Sequence, residues 1–302
     1  MPAEMTHARR LRQLLHGDGI IMAPGVFSPM VARLVAEAGF PACYLSGAGV
    51  AAAMYGQPDV GLVTQTETVH AARYCVDTGA IPLICDADTG FGNPLNIRRT
   101  VRELEQAGVA ALHIEDQAFP KKCGFFEGHT LISTESMVQN IRAALDARRD
   151  PDLLIIARTE RKPARDLDES IARARAYRDA GADMTFVNGV TRVEDVERIA
   201  REVPGPHLYN VSSSGQTPHL HAERLRELGF RIVIYPAHAL FFALHGIQAM
   251  LADLRTTGTI EPWLDRMISF GEWQRLTGVP ETEALERRYA SGSHPGDHEP
   301  PA

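Results

Sequence analysis

Five times in this chain a stretch of helical patterning runs into a glycine that is followed at once by apolar residues. They are Ala38-Gly39-Phe40, Thr78-Gly79-Ala80, Ala107-Gly108-Val109, Ala180-Gly181-Ala182 and Leu228-Gly229-Phe230. A glycine just past a helix takes the left-handed conformation that turns the chain into the next strand. The repeats lie about 30 to 50 residues apart, with one interval roughly double, which is the spacing of successive βα units and predicts a parallel sheet.

Short runs rich in Val, Ile, Leu, Ala and Phe fit buried parallel strands at 20–24, 42–47, 81–87, 109–115, 153–159, 184–188, 207–211 and 231–236. Eight strands make a closed barrel, and such barrels commonly use about 250 residues as one domain. The predicted fold is α/β, a (β/α)8 TIM-type barrel. Residues 1–290 are expected to form this single domain with extra C-terminal helices, and 291–302, rich in Gly, Pro, His and acid, a disordered tail. Helix starts are legible at Ser28-Pro29, at Thr64 with Glu67, at Asn93-Pro94 and at Ser133. A longer apolar helix is expected over 239–254, and Trp263, Phe270 and Trp273 in the helices beyond it are expected to pack on a neighbouring subunit.

Composition narrows the function. Basic residues are dispersed and outnumbered by acids, leaving a net charge of -7, so the chain carries no electrostatic footprint for nucleic acid. Cys43, Cys75, Cys85 and Cys123 have no paired metal-ligand spacing and fit a reduced, cytoplasmic compartment. No stretch has the apolar length of a signal peptide core or a membrane span.

In barrels of this kind the chemistry gathers at the C-terminal ends of the strands. Read in order, those ends present Ser46-Gly47-Ala48-Gly49, Asp86 with Asp88, Glu115-Asp116, Arg158 with Glu160, Asn188, Asn210 with Ser212 and Ser214, and His238. Two carboxylates one residue apart resist joint ionisation unless a positive partner joins them. A hard divalent cation is one such partner, and a solvated turn is the other reading of Asp86-x-Asp88. Arg158 is suited to grip a carboxylate bidentately, and the amides of the Ser46–Gly49 stretch, read as a Gly-rich loop, to hold an anionic oxygen. The Cys123 thiol stands beside Lys121 and Lys122, which are expected to lower its pKa.

Four motifs carry a resemblance: Tyr44-Leu45-Ser46-Gly47, Asp86-Ala87-Asp88-Thr89-Gly90-Phe91-Gly92, His113-Ile114-Glu115-Asp116-Gln117 and Lys121-Lys122-Cys123-Gly124. With them in this order the chain resembles the isocitrate lyase and phosphoenolpyruvate mutase superfamily over nearly its whole length. The resemblance implies Mg²⁺, with Mn²⁺ as an alternative, held by Asp88 directly and by Asp86 and Glu115 largely through water, with Asp59 near the metal. It implies substrate contacts from Tyr44, Ser46, Gly47, Ala48, Arg158, Asn188, Asn210, Ser212, Ser214 and His238, with Cys123, Tyr44 and Arg158 in catalytic roles. It also implies a homotetramer whose last helices are exchanged between subunits.

Lys121-Lys122-Cys123-Gly124 resembles the lyase branch, in which a mobile loop after the fourth strand brings the Cys to the reacting carbon. The implied activity is a Mg²⁺-dependent carbon–carbon lyase acting on a small 2-hydroxy di- or tricarboxylate of the methylisocitrate or alkylmalate type. The chain also departs from that branch. Phe125 stands where the lyases have His, Glu160 where they have Asp, and Asn188 and Ser213 where they have Glu. Two alternatives therefore stay open: oxaloacetate or phosphonopyruvate chemistry on the same scaffold, and a catalytically silent carboxylate binder.

Overall fold

The computed structural model describes residues 5–126, 128–160 and 167–290; the expected tail, 291–302, lies outside the described residues. Its strands are β1 (Ile21–Val26), β2 (Cys43–Leu45), β3 (Leu83–Asp86), β4 (Ala111–Glu115), β5 (Leu154–Glu160), β6 (Met184–Asn188), β7 (His207–Asn210) and β8 (Phe230–Tyr235). Each pairs in parallel with the next, and β8 closes on β1. The predicted (β/α)8 barrel is the fold observed.

The helices are α1 (His7–His16), α2 (Pro29–Glu37), α3 (Gly47–Tyr55), α4 (Gln65–Gly79), α5 (Pro94–Gln106) and α6 (Thr134–Ala147). There follow α7 (Leu167–Asp179), α8 (Val193–Glu202), α9 (Ala222–Glu227), α10 (His238–Thr257), α11 (Phe270–Thr277) and α12 (Val279–Ala290). The predicted starts are real caps. Ser28 and Ser133 accept from backbone amides three residues on, while Thr64 with Glu67 and Asn93 with Asn96 form reciprocal capping boxes. Each such cap is worth about 1 kcal/mol.

The glycine punctuation holds at Gly39, Gly108, Gly181 and Gly229, whose φ angles are 81°, 83°, 102° and 91°. Gly79 differs. Helix α4 runs through it, and Ala80 takes the left-handed turn at φ 54°. Gly79 serves packing instead: a Cβ there would lie 3.2 Å from Ala32 Cβ on α2.

Side chains alternate along each strand between the barrel interior and the helical layer. Ile84, Ala111, Ile156, Met184, Phe186, Leu208, Ile232 and Ile234 fill the interior, and Leu11 of α1 belongs to the same cluster. Leu83, Cys85, Leu112, Ile114, Ile155 and Ala157 belong to a second cluster with the helices. The same parity sends the terminal residues Asp86, Glu115, Arg158, Asn188 and Asn210 inward.

The chain divides into two compact units, Met1–Leu244 and His245–Ala302. The first is the barrel. In the second, the Trp263 indole N–H donates to Asp253 at 2.8 Å, and Phe270 stacks on Trp273 with ring centres 5.3 Å apart. Phe270 and Tyr289 are 71% and 70% exposed.

Candidate active site

The strand register brings the inward residues into one ring. Asp86 of β3 is level with His113 of β4, Glu115 of β4 with Arg158 of β5, and Glu160 of β5 with Asn188 of β6. Arg158 sits at the centre of the charge. Its Nε lies 3.2 Å from Glu115 Oε2 and 2.5 Å from Glu160 Oε1, and its Nη1 is 3.8 Å from Asp86 Oδ2. Nη2 is also paired with Glu160. One edge of the guanidinium is thus taken by Glu115 and Glu160, which leaves Nη1, 3.8 Å from Asp86 Oδ2, as the nitrogen with the loosest partner.

Below Arg158, the Tyr44 hydroxyl is 2.9 Å from His113 Nε2 and donates to Asp86 Oδ2 at 3.4 Å. Burial pushes the His113 imidazole down to about 4, so it is neutral, and pushes the Tyr44 phenol well above its usual value. Tyr44 therefore acts as a hydrogen-bond donor and not as a base.

The acids differ in charge state. Burial opposes ionisation of Asp86 but is outweighed by His113, which is protonated in the acid range where Asp86 titrates, and by Arg158 and Lys121, so the carboxyl is held below the usual range. Burial, reinforced by Asp86 and Asp59, pushes Asp88 up to about 7 in spite of Lys121. Burial likewise holds Glu115 well above the ordinary value. Lys121 has its Nζ 2.5 Å from both Asp59 Oδ1 and Asp88 Oδ1, and these acids keep it charged against the cost of burial.

The stretch Ser46–Gly49 is not a loop, as the sequence suggested, but the start of α3. Ser46 is its N-cap and accepts from the Gly49 amide at 3.2 Å, while the Gly47 amide donates to Asp86 Oδ2 at 3.3 Å. Two of the amides expected to hold a substrate oxygen are therefore already used within the protein. The run of small residues escaped a helical reading because its patterning is set by close approach: a Cβ on Gly47 would lie 3.1 Å from Asp86 Oδ2 and 3.2 Å from Asp88 Oδ1.

A cavity of about 330 Å³ opens above these groups. Tyr44, Ser46, Ala48, Asp59, Asp86, Cys123, Arg158, Asn188, Asn210, Ser212 and Ser214 line it, as do Phe125 and Ser213. Asp88, Glu115 and Gly47 are not among the residues that line it. His238 is not on it; its Nδ1 is paired with Ser213 Oγ at 3.2 Å. Phe125, Phe126, Leu240 and Phe241 contribute apolar surface to the cavity.

The segment carrying Cys123 is docked at several points. Gln117 accepts from the Lys122 amide at 2.9 Å and donates to the Lys122 carbonyl at 2.7 Å, and the Cys123 amide donates to the Asp59 carbonyl at 2.9 Å. Burial pushes the Cys123 thiol up, contrary to the lowering expected from the two lysines. The reason is geometric, since the Lys121 ammonium is turned onto Asp59 and Asp88. Cys123 thus stays a protonated thiol, able to give a proton.

A family model described as phosphoenolpyruvate phosphomutase matches residues 11–255. The 2,3-dimethylmalate lyase of Eubacterium barkeri is 40% identical over 288 residues, covering 95% of this chain and 100% of that protein. The chain belongs to the phosphoenolpyruvate mutase/isocitrate lyase superfamily. A second superfamily relative, the 2-methylisocitrate lyase of Aeropyrum pernix, is 41% identical over 90% of this chain and 88% of its own. Among solved structures, a 2,3-dimethylmalate lyase superposes with a TM-score of 0.89 at 36% identity, covering 98% and 100% of the two chains. A phosphonopyruvate hydrolase in complex with oxalate and Mg²⁺ superposes with 0.86 at 31% identity, covering 94% and 99%.

The residues fit a hard divalent ion. Every nearby anionic donor is a carboxylate oxygen, Glu115 Oε1 is buried with no hydrogen-bond partner, and Gly47 leaves open the space that a Cβ would take beside Asp86 and Asp88. Among the described residues no group of three or more ligating side chains converges tightly enough to hold an ion unaided. That suits Mg²⁺, which keeps several waters and takes one or two carboxylates.

Sequence reading passed over His113 and Glu160 as working parts. Strand parity would have found both, because His113 lies two residues before Glu115 and Glu160 two after Arg158, on the same inward face.

Proposed function

We propose that the chain is a carbon–carbon lyase that cleaves a small 2-hydroxy dicarboxylate or tricarboxylate, of the alkylmalate or methylisocitrate type, to a 2-oxo acid and a carboxylate. The observation that carries this reading is the position of Cys123 on the wall of the cavity that Asp86 and Arg158 also line, where burial pushes its thiol up. Retro-aldol cleavage takes the proton from the 2-hydroxyl, turns that C–O bond into a carbonyl and breaks the neighbouring C–C bond with its electron pair left on the departing carboxylate fragment. The hydroxyl proton passes to a carboxylate of the site, of which Asp86 is the one held ionised, and the Cys123 thiol gives its proton to the carbanion. The names of the lyase relatives support the same reading.

The chain's own groups divide the work. Tyr44 donates to the oxygen-bearing end of the substrate, with the Ala48 amide at the start of α3 beside it. The Nη1 side of Arg158 and the hydroxyls of Ser212 and Ser214 bind carboxylate oxygens. Cys123 delivers the proton. The segment around Cys123 shuts water out, so that the proton goes to carbon and not to solvent.

Mg²⁺, or Mn²⁺ in its place, would be held by Asp88 with Asp86, Glu115 and Asp59, and would supply Lewis-acid polarisation of the oxygen on the cleaved carbon. The homotetramer and the single domain expected over 1–290 belong to this proposal, and the homotetramer is supported by the exposed aromatic residues of the last helices. A cytoplasmic setting is supported by the four free cysteines, and no described helix is long and apolar enough to cross a membrane.

The test is release of pyruvate or another 2-oxo acid from a panel of 2-hydroxy acids, with Mg²⁺ and in excess chelator. Metal-dependent release supports the lyase. No release from any member, with tight binding of the same acids, would identify a silent binder instead.

A further inference from the structure

Gly124 follows Cys123, and its backbone is not in the left-handed region that favours glycine. The lack of a side chain has another cause. A Cβ at this position would overlap Glu160 Oε2 and lie 2.6 Å from Asn188 Nδ2. Neither group is free to move aside. Glu160 is 1% exposed, accepts from Arg158 Nε at 2.5 Å and from Asn188 Nδ2 at 2.9 and 3.1 Å, and its own amide is held by Asp116 at 3.1 Å. Asn188 is also 1% exposed, and its Oδ1 accepts from Asn210 Nδ2 at 2.9 Å.

The charge on Glu160 fixes the polarity of this row. A carboxylate only accepts, so Asn188 must turn its amide N–H to Glu160 and its oxygen to Asn210. A buried pair tied on every side behaves as a rigid surface, and a backbone can lie on it only where no Cβ intervenes.

We propose that Glu160 and Asn188 form a fixed seat for the segment that carries Cys123, and that Glu160 is a positioning residue, setting the height of Cys123 over the cavity while it orients Arg158. Its catalytic consequence rests on the lyase reading; the seat itself does not. One carboxylate thereby couples the proton donor to the carboxylate-binding arginine: a change in its length moves both.

The test uses the rate at which iodoacetamide alkylates Cys123 in the full chain, followed by intact mass. Cys43, Cys75 and Cys85 are at most 1% exposed, so Cys123 is the thiol that reacts. Gly124→Ala should lift the segment off its seat and raise the alkylation rate about tenfold or more, the scale of overpacking strain. Glu160→Asp withdraws the carboxylate by one methylene, so the double variant Gly124→Ala/Glu160→Asp should react more slowly than Gly124→Ala alone. Restoration by a second substitution is not expected of a general loss of stability.

A Gly124→Ala protein alkylated at the wild-type rate overturns the seat, as does a double variant that reacts no more slowly than the single one. Release of 2-oxo acid is followed in parallel. The expected order of alkylation rates among the variants, with no release by wild type from any substrate, keeps the seat and removes the lyase reading.

Discussion

Lys121 Nζ lies 2.5 Å from Asp88 Oδ1 and 2.5 Å from Asp59 Oδ1, with the ammonium side chain only 5% exposed. The segment leading to Cys123 is therefore tied by its first residue to the acids that fit a divalent ion. Lys121→Met should leave two largely buried carboxylates without their cation and cost about 3–5 kcal/mol of stability. An ion serving the same oxygens would replace part of that charge. Added Mg²⁺ should accordingly raise the thermal midpoint of the variant more than that of wild type. Equal increments would place the ion elsewhere.

Cys123→Ala should reduce kcat by about 100-fold or more, the range of a positioned general acid, while binding of a pyruvate-like fragment changes little. The pH profile gives a second reading. A thiol donates only while protonated, and burial holds Cys123 above the ordinary thiol value, so kcat should stay level through that value and fall only above it. A decline near pH 8 that vanishes in Cys123→Ser would mean that the thiol is not raised.

Phe125 lines the cavity, as do Phe126, Leu240 and Phe241. A charged substrate group placed there would be desolvated without a partner, whereas an alkyl group gains about 1.5–3 kcal/mol if fully buried. Wild type should favour an alkylmalate over isocitrate in kcat/KM, and the ratio should fall in Phe125→His. A preference for isocitrate, or a ratio indifferent to the substitution, would assign specificity to another wall.

Asp116 faces the helical layer, where it accepts from Thr159 Oγ1 at 2.7 Å, Tyr177 Oη at 2.7 Å and Arg173 Nη1 at 3.3 Å. Asp116→Ala would take one acceptor from Arg173, which keeps Glu169 and the Ile132 carbonyl, and would take from the hydroxyls of Thr159 and Tyr177 the carboxylate they donate to. Breaking such a pair typically costs about 3–5 kcal/mol, and chemical denaturation should report a loss of that order. A loss below 1 kcal/mol would show that the network relaxes onto water.

The fold was legible before any coordinates because its signals are local. Caps at Ser28, Thr64, Asn93 and Ser133, and left-handed glycines at Gly39, Gly108, Gly181 and Gly229, are chosen by the backbone within a few residues, and eight apolar runs have room for little but a closed parallel sheet. The one failure of that punctuation, Gly79, was decided by Ala32 on another helix, a neighbour that patterning cannot see.

The strand ends and the motifs around them determined which residues meet at the mouth of the barrel, since parity and strand order bring Asp86, Glu115, Arg158, Asn188 and Asn210 to one rim. Their working states were decided only by the tertiary structure. Lys121 spends its charge on Asp59 and Asp88 and leaves Cys123 a thiol; Arg158 gives one edge to Glu160; Gly47 gives its amide to Asp86. The physical reason is range. Helix caps and turns are settled by neighbours in sequence, whereas a buried charge is settled by whichever groups lie within a few Å in space, and inside a barrel those come from strands and loops far apart along the chain.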